Sequence, residues 1–227
     1  MDSKDTSKYQ LTVAGVLISL GIIYGDIGTS PLYVFRAIIG SSIISEDLVL
    51  GGVSCVFWTL TLITSTKYIY LALNADNKGE GGIFALYALV RRFKAKWVIF
   101  PAIIGCAAII ADGFITPAFS ISAAVEGITI DYPEIPTRPI VITILVLIFV
   151  FQQFGTNVVG KTFGPIMSIW FLFIGYFGLI QLMENPTVLR GLNPMYAWAL
   201  LTKYPGGFWL LGAVFLCTTG AEALYSD

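Results

Sequence analysis

The chain has 227 residues, of which 56% are hydrophobic and only 12% charged, with a formal net charge of −1 and no histidine. Soluble domains carry about 25% charged residues, so much of this surface must face something other than water. The near-neutral balance leaves no case for a nucleic-acid partner or a polybasic surface-bound protein, and the lack of histidine removes His-based catalysis and most transition-metal sites.

Taken in chain order, residues 1–10, MDSKDTSKYQ, read as a polar cytoplasmic tail. The next run is apolar and too long for the core of a signal peptide. Six membrane spans are predicted, at about 11–39, 51–73, 98–125, 139–154, 163–183 and 207–227, each judged against the roughly 20 residues needed to cross a bilayer. Between the second and third, the glycines of KGEGG suggest a hinge, and IFALYALVRRFKAK reads as a short amphipathic surface helix. GEGG is not a phosphate loop, because no Gly-x-x-x-x-Gly-Lys-Ser/Thr is present. Cys55, Cys106 and Cys217 lie far apart in apolar runs and read as small buried hydrophobes rather than a disulfide or zinc framework.

Charge bias orients the chain. With the N-terminus inside, the inner flanks hold Lys4, Lys8, Lys67, Lys78, Arg91, Arg92, Lys94, Lys96 and Lys161, and the outer ones Arg36, Arg138, Arg190 and Lys203. That excess predicts a cytoplasmic N-terminus. Tyr68, Tyr70, Trp97, Trp198, Tyr204 and Trp209, near span ends, read as interface anchors.

Three acids fall inside apolar spans: Asp26 in the first, Asp112 in the third and Glu222 in the sixth. Each lies roughly 22 Å from the end at which its helix enters, at 1.5 Å per residue. A carboxylate at a helix centre costs about 2.5–3.5 kcal/mol on insertion scales, so three cost on the order of 9 kcal/mol. The basic residues cluster near span ends and can snorkel outward, with Lys67 the exception. These acids must therefore be protonated, reach water or meet a mobile cation, and an ion pathway involves all three.

The first acid sits in GIIYGDIGTSPLYVF, residues 21–35, an apolar helix with a breaking cluster in its middle. Ser30-Pro31 is a suitable N-cap and first-turn pair, which predicts that a second half-helix starts there. The first half is expected to end near Tyr24 or Gly25, leaving carbonyls that, with the Asp26 carboxylate and the Thr29 hydroxyl, can replace the water shell of a monovalent cation. In span three, ADGFITPAFSIS places Asp112, Thr116 and Ser120 at i, i+4 and i+8, on one helix face. Pro117 cannot donate to the carbonyl of Gly113. Oxygen donors of this kind suit an alkali cation, although Thr116 and Ser120 could equally back-bond to their own helix. In span six, Thr219 three residues before Glu222 fits a capping box opening the second half of a broken helix. Glu126, at the outer end of span three, reads on depth as an interfacial acid rather than a vestibule residue. GTSPLY (28–33) and GAEALY (220–225) share Gly-x-x-x-Leu-Tyr, as two repeats with interrupted first helices would.

GDIGTSPLYV (25–34), KGEGGIFALYAL (78–89), ADGFITPAFSISAAVEG (111–127), FGTNVVGKTFGPIMSIWF (154–171), NPMYA (193–197) and TGAEALYSD (219–227) resemble the KUP/HAK/KT potassium uptake transporters. Ser226 stands where the family has alanine. The resemblance implies an all-α membrane protein of the amino acid–polyamine–cation superfamily, with an inverted-repeat (5+5) fold and broken helices one and six. It makes residues 11–206 the first five-helix repeat and 207–227 the first half of the second repeat's broken helix, truncated after about six spans. It further implies secondary potassium uptake, by K+/H+ symport across the cytoplasmic membrane, with no enzymatic activity and no cofactor. Potassium would be bound by Asp26, Tyr33, Asp112, Thr116 and Ser120, the ion resting on Asp26, Asp112 and Thr116, with Glu222 and Thr219 in proton coupling. The implied partners are the potassium ion, the proton and the lipid bilayer; a homodimer is compatible with it. An amino acid or polyamine carrier of the same fold is the alternative.

Overall fold

Apolar runs that cross a bilayer must satisfy their backbone groups internally, and helices do so. The computed structural model describes residues 13–40, 43–75, 77, 80–92, 96–130, 132–153, 156–204 and 206–225. Among these the regular structure is helical, with one isolated antiparallel bridge between Asn77 and Glu80 and short turns and loops between the helices. The N-terminal tail 1–10, Lys78, Lys94 and Ser226 lie outside the described residues.

The first predicted span is two helices, α1 (Val13–Ile27) and α2 (Ser30–Ile39), separated at Gly28 and Thr29. The first half ends at Ile27 rather than near Tyr24, because the Gly28 amide still donates to the Tyr24 carbonyl at 2.9 Å. Pro31 then sits in the first turn of α2, where its missing N–H is harmless. The second span begins as α3 (Glu46–Thr59), capped by the Ser45 hydroxyl, which accepts from the Leu48 amide, with Glu46 and Asp47 in the first turn. It winds on as a π-helix over Leu60–Leu71 and ends in a 3-10 turn at Ala72–Asn74.

The predicted surface helix is α4 (Gly82–Arg91), and the positive φ of Gly82, 83°, makes the turn before it. The third span is α5 (Ile99–Glu126), unbroken through Pro117. The fourth and fifth are α6 (Thr137–Gln152) and α7 (Thr156–Glu184). After a 3-10 stretch, α8 (Pro194–Lys203) starts at Asn193, whose side chain accepts from the Met195 amide at 3.0 Å. The sixth span is α9 (Gly207–Phe215), continued as a 3-10 turn over Leu216–Thr218, broken at Thr219 and Gly220, and resumed over Ala221–Tyr225. Three described helical stretches, Glu46–Asn74, Lys96–Thr129 and Phe163–Glu184, are long and apolar enough to cross a membrane; Gly82–Arg91, Thr137–Gln152 and Gly207–Thr218 are shorter apolar helices.

Two packing seams hold the helix breaks in place. Val34 and Ile38 of α2, Cys55 and Val56 of α3, Leu200 of α8, and Val214 with Cys217 form one buried cluster where those elements meet. The other seam sets α1 along α7: a Cβ at Gly164 would run into the Leu17 backbone, and Tyr24 meets Phe171 edge-on at 6.2 Å. All three cysteines are free; Cys55 and Cys217 are buried, as their setting predicts, and Cys106 is half-buried. On α5 and α7, Ile104, Phe114 and Leu172 are largely exposed, a surface suited to hydrocarbon rather than water.

Candidate cation site

The break between α1 and α2 folds its polar groups onto one carbonyl. The Asp26 carbonyl accepts from the Thr29 amide (3.1 Å), the Thr29 hydroxyl (3.1 Å) and the Ser30 hydroxyl (2.9 Å). That oxygen is therefore met by the chain's own donors, while the Thr29 hydroxyl, which donates its hydrogen here, keeps its lone pairs. Ser30 in turn accepts from the Tyr33 hydroxyl at 2.8 Å, and the Tyr33 ring meets Phe119 of α5 at 5.9 Å. Among the described residues, no hydrogen bond or ion pair engages the Asp26 carboxylate.

On α5 the i, i+4 spacing does what a shared face allows. The Thr116 hydroxyl donates to Asp112 Oδ1 at 2.7 Å instead of to its own backbone. The Ser120 hydroxyl oxygen is buried with no hydrogen-bond partner among the described residues. Neither hydroxyl back-bonds to the helix, the bland reading of such residues in membranes. A buried hydroxyl without a partner is costly unless something else meets it.

The second break supplies the remaining groups. The Thr219 hydroxyl donates to the Leu216 carbonyl at 2.8 Å, and the Gly220 amide donates to Glu222 Oε2 at 3.1 Å. The expected capping box between Thr219 and Glu222 does not form. The chain turns at Gly220 with φ 90°, which moves the reciprocal bond one residue along. Asp112, Thr219 and Glu222 line a single cavity of about 220 Å³ together with Ile63, Tyr68 and Thr218. Asp26 lies behind it: a Cβ on Gly220 would meet the Asp26 Cβ at 2.9 Å and its Oδ2 at 3.1 Å. Asp112 and Glu222 are both within electrostatic reach of Asp26, and Tyr33 is within reach of Asp26 and Asp112. Tyr33, Thr116 and Ser120 do not line the cavity; Thr116 bonds Asp112, which does.

No lysine or arginine pairs with these three acids among the described residues; the ion pair found there joins Arg36 to Glu126 at the other end of α2 and α5. Lys67 is exposed, and its ammonium lies 4.7 Å from the Tyr68 ring centroid. Tyr68, read from the sequence as an interface anchor, also lines the cavity. Two further residues escape a reading by motif. Thr64 carries a buried hydroxyl with no partner among the described residues, and Trp170 of α7 donates its indole N–H to the Gly28 carbonyl at 3.2 Å. Thr64 is one of four serine and threonine residues in LTLITSTKYIYL, so the sequence does not single it out, and nothing in sequence spacing signals Trp170 either.

The K+ potassium transporter integral membrane domain matches residues 13–227. The chain belongs to that family. Its relatives carry the name "Probable potassium transport system protein Kup". The chain is 62% identical to the one from Cytophaga hutchinsonii over 231 residues, covering 100% of this chain and 35% of that protein. It is 61% identical to the Flavobacterium johnsoniae protein, over 96% of this chain and 34% of that one, and 50% identical to that of Latilactobacillus sakei, over 99% and 35%. The chain thus spans about a third of the length of the curated relatives it matches. No solved structure matches it. The relatives are named for potassium transport, not for an enzymatic reaction, and lend no support to the amino acid or polyamine alternative. Membership of an integral membrane family agrees with the apolar helices.

Proposed function

We propose that this chain is the cation-binding portion of a secondary transporter that takes up potassium across the cytoplasmic membrane by K+/H+ symport. The single observation that carries the reading is the meeting of three membrane-embedded acids at two helix breaks, Asp112 and Glu222 on one cavity with Asp26 behind Gly220, and no basic side chain paired with them among the described residues. The relatives' name supplies the ion.

In this reading a dehydrated K+ enters between the first break and α5 and neutralises Asp26 and Asp112. Thr116 orients the Asp112 carboxylate, and Ser120 and Tyr33 complete the oxygen set. Glu222, with Thr219 beside it, takes a proton from outside and releases it inside. The membrane potential assists, each positive charge moved inward gaining about 2.3 kcal/mol per 100 mV. Two five-helix repeats of inverted topology, the first over residues 11–206 and the second opening at 207, would rock about the site to alternate access. The positions of Gly28 and Gly220 at the two breaks support that plan. The N-terminus lies in the cytoplasm, as the charge bias predicts.

The test is Rb+ uptake and proton flux measured together in proteoliposomes holding the intact transporter. Uptake coupled to proton entry, lost in Asp26→Asn and Asp112→Asn, is expected. Glu222→Gln should keep cation binding and lose the pH dependence of uptake. Normal uptake by either aspartate variant would refute the assigned site.

A further inference from the structure

The first break has two faces. Asp26 looks toward Gly220 and the second broken helix, whereas Gly28 looks toward α7. A Cβ on Gly28 would meet Phe171 Cζ at 2.6 Å and Met167 Cε at 3.1 Å. Gly28 lies between the two half-helices, so its carbonyl falls outside the hydrogen-bond ladder of either. A membrane interior offers such an oxygen no water. The donor it receives comes from 142 residues away, the Trp170 indole N–H at 3.2 Å.

Tryptophan suits this task because indole donates and cannot accept, so it cannot compete with the carbonyl for another donor. Its ring stacks on Phe173, with centroids 6.4 Å apart and planes 17° from parallel, which restrains its orientation. The neighbouring Phe171 holds Tyr24 edge-on one turn before the break. We propose that Trp170 is a positioning residue for the cation site. By tethering the Gly28 carbonyl to α7 it fixes the rotation of the break, and that rotation presents the Asp26 carboxylate to the second broken helix. The Gly28 carbonyl is thereby withheld from the ion, and the coordinating set is left to the Asp26 face.

This inference rests on the reading of Asp26 as a cation ligand. The test compares Trp170→Phe, which keeps an aromatic ring but removes the donor, with Trp170→His, which keeps a ring N–H, in the intact transporter. Rb+ uptake is measured as KM and as Vmax per transporter molecule. Loss of one buried hydrogen bond at the site should raise KM about tenfold in Trp170→Phe with Vmax held, and Trp170→His should recover part of the affinity. Should Trp170→Phe fail to fold, replacing Trp170 by benzothienylalanine, an isosteric ring with sulfur in place of N–H, gives the same readout. An unchanged KM, or equal effects of Phe and His, would overturn the positioning role. Asp26→Asn in the same assay separates the two ideas. Uptake retained there defeats the cation-site reading itself, while uptake lost there with an unchanged KM in the donor-free variant defeats only the role of Trp170.

Discussion

Gly220 is pressed against Asp26, so the break in the sixth span seats itself on the carboxylate of the break in the first. Nearly two hundred residues of sequence separate them, yet a single methyl group would not fit between the Gly220 Cα and the Asp26 side chain. Two helix interruptions that touch in this way share one environment, and a change at either is felt by the carboxylate between them.

Gly220→Ala is therefore expected to be severe. The new Cβ would stand 2.9 Å from the Asp26 Cβ, and the backbone at φ 90° is one that L side chains adopt at a penalty of about 1–2 kcal/mol. Rb+ uptake per transporter molecule should fall below about a tenth of the parent, by the factor of ten that each 1.4 kcal/mol represents. The thermal unfolding midpoint should fall as well. An alanine variant with parental uptake would mean that the contact between the breaks is not part of the site.

Ser120 lends itself to a sharper separation of folding from binding. Its hydroxyl is buried and unpartnered among the described residues, so removing it takes away a desolvated group that gains nothing from the protein. In the absence of potassium, Ser120→Ala should leave the unfolding midpoint unchanged or raise it. The added stabilisation on saturating with K+ should shrink. A drop in stability without potassium would show that the hydroxyl has a structural partner, and an undiminished potassium effect would remove Ser120 from the proposed ligands.

Much of this site could be read in the sequence because helical spacing is rigid. Asp112 and Thr116, four residues apart on a continuous helix, meet at 2.7 Å. Gly28-Thr29-Ser30-Pro31 is a helix-breaking run, and α2 does begin at Ser30. The end of α1 was less legible. Whether a helix gives one more turn before a glycine depends on an amide finding its carbonyl, as Gly28 finds Tyr24, and not on propensity. The capping box failed for a related reason: Thr-x-x-Glu assumes that the helix starts after threonine, whereas Gly220 takes the turn and the Glu222 bond with it. The inward roles of Trp170 and Tyr68 were out of reach because which aromatic of a largely apolar helix looks inward is decided by its neighbours. Nothing in the composition of α7 or of the π-helix marks either residue.

Thr116 tests the orientation of Asp112 directly. Its hydroxyl donates to the carboxylate, a charge-assisted bond when Asp112 is ionised, of a kind worth about 1.5–3 kcal/mol. Thr116→Val keeps the shape and removes the donor, whereas Thr116→Ser keeps the donor and loses a methyl group. KM for Rb+ should rise at least about tenfold in the valine variant and change little in the serine one. If the two variants behave alike, packing rather than hydrogen bonding is what Thr116 contributes.

The pair between Arg36 and Glu126 belongs to a different class of interaction. It ties the far end of α2 to the end of α5, and its side chains are 68% and 45% exposed. An exposed ion pair of this kind contributes about 0–1 kcal/mol and is screened by salt. Arg36 cannot act as a fixed counter-charge for Asp26 while it is engaged at that end with Glu126. Arg36→Gln and Glu126→Gln should each shift stability by less than about 1 kcal/mol, with the shift fading as ionic strength rises. Rb+ uptake should stay within about twofold of the parent, less than the factor of five that 1 kcal/mol allows. A charge swap, Arg36→Glu with Glu126→Arg, should behave like the parent in both respects. Abolished uptake in either single variant, restored by the swap, would instead make this pair a latch that the transport cycle has to open.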